Sequence, residues 1–290
     1  MPPKEIRELR DLTRYRKRLV QMHSSECQRI QKVLTDASIR LDSVASDVLG
    51  VSGRAMLRAL LDGERDPLVL ADLAKGRLRP KMPQLIEALT GRFGDHHCLL
   101  IGLSLDHVEQ LEKAMARLDE EVDRVIAPFS PALELLDSIT GVGKRAAECI
   151  IAEIGVDMAR FPSAGHLASW AGVCPGNNIT GGKRKSGTTT KGDKWLQDIL
   201  VECAWAASHA RDSYLAAQYW RLSRRIGKKK AVVAVGHSIL VIAWHLLNEG
   251  CFYQDLGGEF FVKHDKDKAR RRAVAQLESL GYHVTLDHAA

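Results

Sequence analysis

The stretch Leu105-Asp-His-Val-Glu-Gln-Leu-Glu-Lys-Ala-Met-Ala-Arg-Leu-Asp-Glu-Glu-Val-Asp-Arg-Val-Ile126 decides the fold class. Val108, Leu111, Met115, Leu118, Val122 and Val125 recur at alternating steps of three and four, the a/d seam of a helix and not the period of two that a strand would show. Charged residues such as Glu109, Glu112, Lys113 and Arg117 fill the positions between them. A seam this long needs a partner. One candidate is the segment 4–34, where Ile6, Leu9, Leu12, Tyr15, Leu19, Met22, Ile30 and Leu34 also recur at mostly helical spacing. The other is the same seam of a second subunit, and both readings stay open.

Working outward, residue 52 is a candidate cap for a helix ending near Gly63, Asp66-Pro67 opens another, and a third runs from about Pro83 to Leu89. Pro128 and Ser130-Pro131 end the long seam and mark a domain boundary. Beyond it, helices are expected over 131–139, 144–154, 163–171, 193–220 and 231–247, with Trp195, Ile199, Cys203, Ala206 and Leu215 facing inward. No convincing period-two run occurs. The expectation is a mainly α protein. A helical coiled-coil arm covers 1–127, a helical domain covers 128–262 with a helix-hairpin-helix at 131–155, and a charged tail covers 263–290.

Composition is that of an ordinary globular chain, with 45% hydrophobic and 27% charged residues. No run of about 18 apolar residues and no apolar signal core at the N-terminus is present. The expectation is therefore a cytoplasmic location and no membrane. Six cysteines without paired metal-ligand spacing argue against both zinc and disulfides. Charge is localised: residues 181–230 carry a net +8, against +6 for the whole chain. Such a stretch suits a surface that meets phosphates.

Two segments could carry function. Leu136-Asp-Ser-Ile-Thr-Gly-Val-Gly-Lys-Arg-Ala-Ala-Glu has the form of a helix-hairpin-helix. There the Gly141-Val-Gly143 turn would let backbone N–H groups approach a phosphate, with Lys144 and Arg145 adding charge; the alternative is a purely structural hairpin. The second segment is the basic glycine-rich loop 172–192. It fails as a nucleotide cradle, because position 177 is Asn where a Walker loop needs Gly, and Arg184 follows Lys183 where Ser or Thr is required. A solvated linker is the remaining plain reading, opposed by Trp170 and Trp195, which are expected to anchor the two ends. Lys183, Arg184, Lys185, Lys191 and Lys194, with Arg224, Arg225, Lys228, Lys229 and Lys230, are the expected nucleic-acid contacts. Asn177 and Asn178 suit an entry turn or a positioning role, and His237 and His245 read as packed core histidines.

The series Asp137-Ser-Ile-Thr-Gly-Val-Gly, Phe161-Pro-Ser-Ala-Gly-His-Leu-Ala-Ser-Trp-Ala-Gly-Val-Cys-Pro-Gly-Asn-Asn, Gly182-Lys-Arg-Lys-Ser-Gly, Lys191-Gly-Asp-Lys-Trp-Leu and Val235-Gly-His-Ser-Ile-Leu-Val resembles the C-terminal transposase domain of the insertion-sequence 110/116/902 family. Asp47-Val-Leu-Gly-Val-Ser-Gly-Arg-Ala-Met-Leu and Ile6-Arg-Glu-Leu-Arg-Asp-Leu-Thr-Arg-Tyr-Arg-Lys resemble its helical middle region.

The resemblance implies transposition by DNA cleavage and rejoining, guided by a structured noncoding RNA, in a homo-oligomer. It also implies an N-terminal RNase H-like domain with an Asp-Glu-Asp-Asp tetrad for magnesium, which this sequence does not contain. No metal ligands are therefore expected within the chain itself, and Mg2+ is expected in the intact family site. The family's serine nucleophile matches Thr180, and Ser186 is a weaker substitute. The expectation is a transposase by family whose isolated chain is inactive. The alternative is a non-catalytic nucleic-acid-binding or dimerising fragment that regulates an intact transposase.

Overall fold

The computed structural model describes residues 2–175, 179–184, 189–264 and 266–285, with Ile179, Thr180, Arg184, 266–269 and Arg272 described through their backbone only. The protein is mainly α-helical. It divides into two compact units: Arg14–Arg124, here unit I, and Met1–Thr13 with Val125–Ala290, here unit II. Helix α1 (Lys4–Asp36) supplies residues to both.

Unit I adds α2 (Val51–Leu61), α3 (Pro67–Asp72), α4 (Met82–Leu89) and most of α5 (Asp95–Ile126). Asp66 caps α3 as its position before Pro67 requires, its carboxylate accepting from the Leu68 N–H at 2.9 Å. The residue expected to cap α2 does something else. Ser52 lies inside that helix, and its hydroxyl accepts from the Lys75 N–H at 2.9 Å, tying α2 to the segment that follows α3. The core gathers Ile30 and Leu34 of α1, Met56, Leu57 and Leu60 of α2, Leu70, Leu85, Ile101 and Val108.

Helix α5 begins ten residues before the expected start, because the run Cys98-Leu-Leu-Ile101 followed by Gly102 blurs the period in the sequence while remaining compatible with helix. It runs antiparallel to α1 within unit I. Arg16 meets Asp119 at 2.5 Å, His23 meets Glu112 at 3.2 Å and Glu26 meets His107 at 3.2 Å, the α5 number falling as the α1 number rises. The α1 side of this seam is thus partly polar. Arg16, Leu19, His23, Glu26 and Ile30 follow the three-four rhythm, whereas Tyr15 and Met22, expected to face inward, are exposed. Glu26 tolerates burial because Arg29 also binds it, at 2.8 Å. Burial tends to raise the Glu112 carboxyl, but hydrogen bonds from Arg54 and His23 outweigh it and hold the group below the ordinary glutamate range.

Unit II holds α6 (Ser130–Asp137), α7 (Lys144–Ile154), α8 (Ala164–Trp170), α9 (Lys194–Ala207), α10 (Tyr214–Ile226), α11 (Lys228–Glu249), α12 (Phe260–His264) and α13 (Lys266–Ser279). The expected helix 193–220 is in fact two helices. The break falls at Ser208–Ser213, where Asp212 has a φ of 50° and the Ser213 hydroxyl accepts from the Ala216 N–H to start α10. The inward face of α9 is Leu196, Leu200, Cys203, Ala204 and Ala207; Trp195 and Ile199 are only half-buried and Ala206 is exposed. Burial pushes the Cys203 thiol up to about 12, so it serves as a small hydrophobe.

Helix α11 is the core helix of this unit, packing on α6, α8, α9 and α10 through Val235, Gly236, Ile239, Leu240 and Ala243. Its length and apolarity would suffice to cross a membrane, and here that apolar surface serves four neighbouring helices. His237 is half-buried, and burial lowers its pKa. His245 is an exposed residue paired with Glu249 at 2.9 Å, where a core position had been expected.

Two contacts fasten unit II. Arg10 donates from Nε to the Ala152 carbonyl and from Nη2 to the Glu153 carbonyl, both at 2.9 Å, satisfying the C-terminal end of α7 while lying 3.2 Å from the buried Glu153 carboxylate. The segment 251–258 then crosses the turn after α6. The Tyr253 N–H donates to Ser138 Oγ, and the Asp255 carboxylate accepts from the Thr140 hydroxyl (3.0 Å), the Tyr253 hydroxyl (3.3 Å) and the Tyr214 and Gly257 N–H groups (2.7 and 2.8 Å). Burial alone would raise the Asp255 pKa, but these four donors hold it below the ordinary aspartate range. Burial, with the Asp255 charge beside it, raises the Tyr253 phenol.

Arg10→Ala is expected to cost about 2 kcal/mol, since it removes two charge-assisted hydrogen bonds to the last carbonyls of α7 and one contact to the buried Glu153, and urea unfolding of the full chain measures it. Asp255 binds a proton more weakly folded than unfolded, so its contribution is present at neutral pH and is lost as pH falls below about 4. Thermal melts from pH 6 to pH 3 should show a smaller acid-induced fall for Asp255→Asn than for the native protein.

Candidate nucleic-acid interface

The turn joining α6 to α7 has two glycines with different duties. Gly141 has a φ of 87°, and a Cβ there would fall 2.6 Å from the Cys203 carbonyl oxygen and from the Ala207 nitrogen, so only glycine lets the turn lie against α9. Gly143 is exposed, has an unstrained φ of −102°, and would place a Cβ in open space. Nothing inside the protein requires glycine there, and no side chain caps α7. Lys144 and Arg145 are partly occupied. Glu148, 1% exposed, lies 4.0 Å from the Lys144 ammonium and 3.0 Å from the Arg145 guanidinium.

The basic loop is closed at its base by backbone contact. Gly172 has a φ of 70°, and a Cβ on it would meet Gly192 N and Thr190 O at 2.7 Å; one on Gly192 would meet Ala171 O at 2.3 Å. Gln197 reaches from α9 to donate to the Ala171 carbonyl at 2.8 Å, and Asp193 Oδ1 caps α9 by accepting from the Trp195 and Leu196 N–H groups. Of the two tryptophans expected to pin the loop, Trp170 is substantially exposed against Phe161, and Trp195 is half-buried at the start of α9. Above this base, Pro175 bridges to Thr189, and β1 (Ile179–Thr180) pairs antiparallel with β2 (Lys183–Arg184), Thr180 facing Lys183. Gly181 and Gly182 both have positive φ, at 58° and 72°, as a two-residue hairpin turn demands. The signal was present in Thr180-Gly-Gly-Lys183 and is a hairpin signal by turn chemistry, although the strands are too short to show alternation.

Of the residues singled out from the sequence, Thr180 therefore lies at the start of this turn, and Lys183 is exposed at its end. Arg184 is described by its backbone alone, while Asn177, Asn178, Lys185 and Ser186 lie outside the described residues. Lys191 and Lys194 are exposed at the loop's exit and at the start of α9. Arg224 and Arg225 end α10, and after Gly227 (φ 83°) Lys228, Lys229 and Lys230 begin α11. All five side chains at this corner are exposed and have no ion-pair partner among the described residues. Three of them sit where the α11 dipole is positive, which is unfavourable for the protein by itself.

Unit I offers a different chemistry. Asp36, His96 and His97 bring their ligand atoms within 4.8 Å of one another, the one such histidine and carboxylate group among the described residues. The Gly94 N–H donates to His97 Nδ1 at 3.0 Å, so the neutral ring carries its proton on Nε2, which faces Asp36 Oδ2 at 3.1 Å. Metal-bound histidines instead donate from the second ring nitrogen. The group is accordingly a hydrogen-bonded cap near the start of α5. An open cavity of about 640 Å³ also lies in unit I, between the segment 44–53 and Lys75, Arg77 and Lys81, and none of the site residues chosen from sequence lines it.

Comparison with known proteins adds an independent observation. Residues 133–221 match the model of the Transposase IS116/IS110/IS902 family. A Sinorhizobium fredii protein named as a transposase, y4qE, is 35% identical over 136 residues, 44% of this chain and 31% of that protein. A protein of insertion element IS110 from Streptomyces coelicolor is 27% identical over 218 residues, 67% of this chain and 52% of its own length. The pilin gene-inverting protein of Moraxella bovis is 25% identical over 150 residues, covering 50% and 46% respectively. The chain thus spans about half or less of these relatives. The matched region runs from α6 through most of α10 and takes in the hairpin turn, the locked loop and Thr180, so it is this part of unit II that is similar to the IS116/IS110/IS902 transposase family.

Proposed function

We propose that this protein acts in DNA transposition: unit II binds the phosphate backbone, and the hydroxyl at position 180 is the nucleophile of the assembled recombinase. The observation that carries the reading is the hairpin with Thr180 at its turn, opposite Lys183, raised on a base that two glycines and Gln197 lock. A nucleophile gains from a fixed backbone, because placing the attacking oxygen in line is most of the work. As the threonine oxygen bonds to phosphorus, one bridging P–O bond breaks, the departing strand keeps that oxygen and takes up a proton, and the hydroxyl proton is lost. Nearby cations hold the negative charge that develops on the phosphoryl oxygens. The methyl group of threonine restricts χ1 relative to the family's serine and narrows the approach.

Binding is supported by the five exposed cations at the α10–α11 corner and by Lys183, Lys191 and Lys194. It is also supported by Gly143, where a phosphate could approach the first N–H groups of α7. The resemblance adds a structured RNA and a second subunit to the proposed assembly. It also implies magnesium, which the Asp36–His96–His97 group does not fit, since Mg2+ takes oxygen ligands in octahedral geometry.

Replacing Arg224, Arg225, Lys228, Lys229 and Lys230 by alanine should weaken duplex binding and flatten its dependence on log[salt] by up to about four units of slope. Fluorescence anisotropy from 50 to 300 mM NaCl reads this, and an unchanged slope would remove the corner from the interface. With element-end DNA, the structured RNA and magnesium, the assembled recombinase should form a covalent protein–DNA adduct that Thr180→Ser retains and Thr180→Ala abolishes on a denaturing gel. An undiminished adduct in Thr180→Ala excludes this nucleophile. Salt-dependent binding with no adduct in any form favours the other reading, a non-catalytic regulator of a complete transposase.

A further inference from the structure

Four rings form a continuous edge-to-face chain across α9 and α10. Trp205 lies 5.4 Å from His209 and 5.8 Å from Tyr219, and Tyr219 lies 5.1 Å from Trp220, with interplanar angles of 81°, 86° and 76°. Tyr219, 1% exposed, is the fixed member, yet Trp205 and Trp220 on either side of it remain 47% and 50% exposed. Neither indole is loose. Trp220 Nε1 donates to the Ser208 carbonyl at 3.2 Å, and Trp205 is braced edge-on by both His209 and Tyr219.

Two tryptophans held rigid and half out of water forgo much of the burial that would make them useful to the fold. Their neighbours say what could cover them. Arg224 lies one turn beyond Trp220 on the same face of α10, with Arg225 and Lys228 to Lys230 following, and these are the unpaired cations already described. On the α9 side the residues that precede Trp205 at helical spacing are Asp198 and Glu202, so the cations beside the two indoles lie along α10. Flat apolar rings beside a one-sided row of cations match the chemistry of single-stranded nucleic acid, whose bases stack while its phosphates follow the charge.

We infer that Trp205 and Trp220 form a stacking platform for unpaired bases, on which unit II holds a single strand next to the basic corner. The inference rests on the reading of unit II as a nucleic-acid-binding unit and adds the form of substrate it prefers. Duplex ends opened for strand transfer expose such bases; a fully paired helix keeps its base faces stacked and cannot use the indoles.

The test uses the full chain, a labelled 20-nucleotide single strand and the duplex of the same sequence, compared by anisotropy at one salt concentration. Trp205→Ala and Trp220→Ala should each weaken single-strand binding by about 5- to 100-fold, the range that one stacked base contributes, and change duplex binding less than about twofold. Trp220→Phe, which keeps a ring, should recover most of the loss, and thermal melts identify any variant that fails to fold. Unchanged single-strand binding, or equal losses with both ligands, would overturn the platform. So would a shift in sedimentation to a smaller species with single-strand binding intact, which would assign the face to a second copy of the chain. If the native protein binds neither ligand in a salt-dependent way, the nucleic-acid reading of unit II fails first; duplex binding with no response to the tryptophan variants sinks the platform alone.

Discussion

The candidate surface of unit II depends on backbone meeting backbone where no side chain could fit. Gly172 against Gly192 closes the base of the basic hairpin, and Gly141 against the last turn of α9 seats the turn between α6 and α7. Both contacts are closer than a Cβ allows, so each couples a polar surface segment to the bundle below without an intervening side chain that could change rotamer. Gln197 and Asp193 reinforce the first contact from α9, and the carboxylate of Asp255 reinforces the second from the C-terminal segment. The hairpin and the α6–α7 turn are thus fastened to one helix, α9, which gives two otherwise separate surface features a common frame.

Charge is managed in opposite ways in the two units. In unit I, cations facing α5 meet carboxylates: Arg16 of α1 with Asp119, and Arg54 and Arg58 of α2 with Glu112 and Glu109. In unit II the corner between α10 and α11 gathers five cations without ion-pair partners among the described residues and sets three of them at the positive end of a helix dipole. Self-repulsion of this kind lowers stability and raises the local potential for anions, which is the usual trade at a phosphate-binding surface.

Much of this was legible in the sequence, and the failures have physical causes. The α5 period, the Asp66-Pro67 start and the bounds of α7 follow from local spacing and capping, and local signals predict local structure. The α1 seam did not yield to the same reasoning. Arg16, His23 and Glu26 occupy positions that an apolar search passes over, and only the facing residues of α5 make them suitable. The single helix expected over 193–220 is broken where Asp212 adopts a positive φ and its carboxylate accepts from the Gly258 N–H, a contact 46 residues away that no window detects. Of the candidate site, the charges and glycines were visible, as was the family likeness of the region 133–221. The hairpin register, the division of labour between Gly141 and Gly143, and the exposure of Trp205 and Trp220 required the fold.

The polar pairs between α1 and α5 bear on how this sequence can change over time. Sliding α5 by one heptad would preserve its apolar rhythm yet set His23 against Leu105 and Glu26 against Leu100, so that both polar side chains lose the partners they now have on α5. An all-apolar seam would accept that slip; this one rejects it. Insertions or deletions in either helix between the pairs are therefore tolerated only when matched in the other. Among related sequences the two segments should keep a constant difference in length even where their residues diverge.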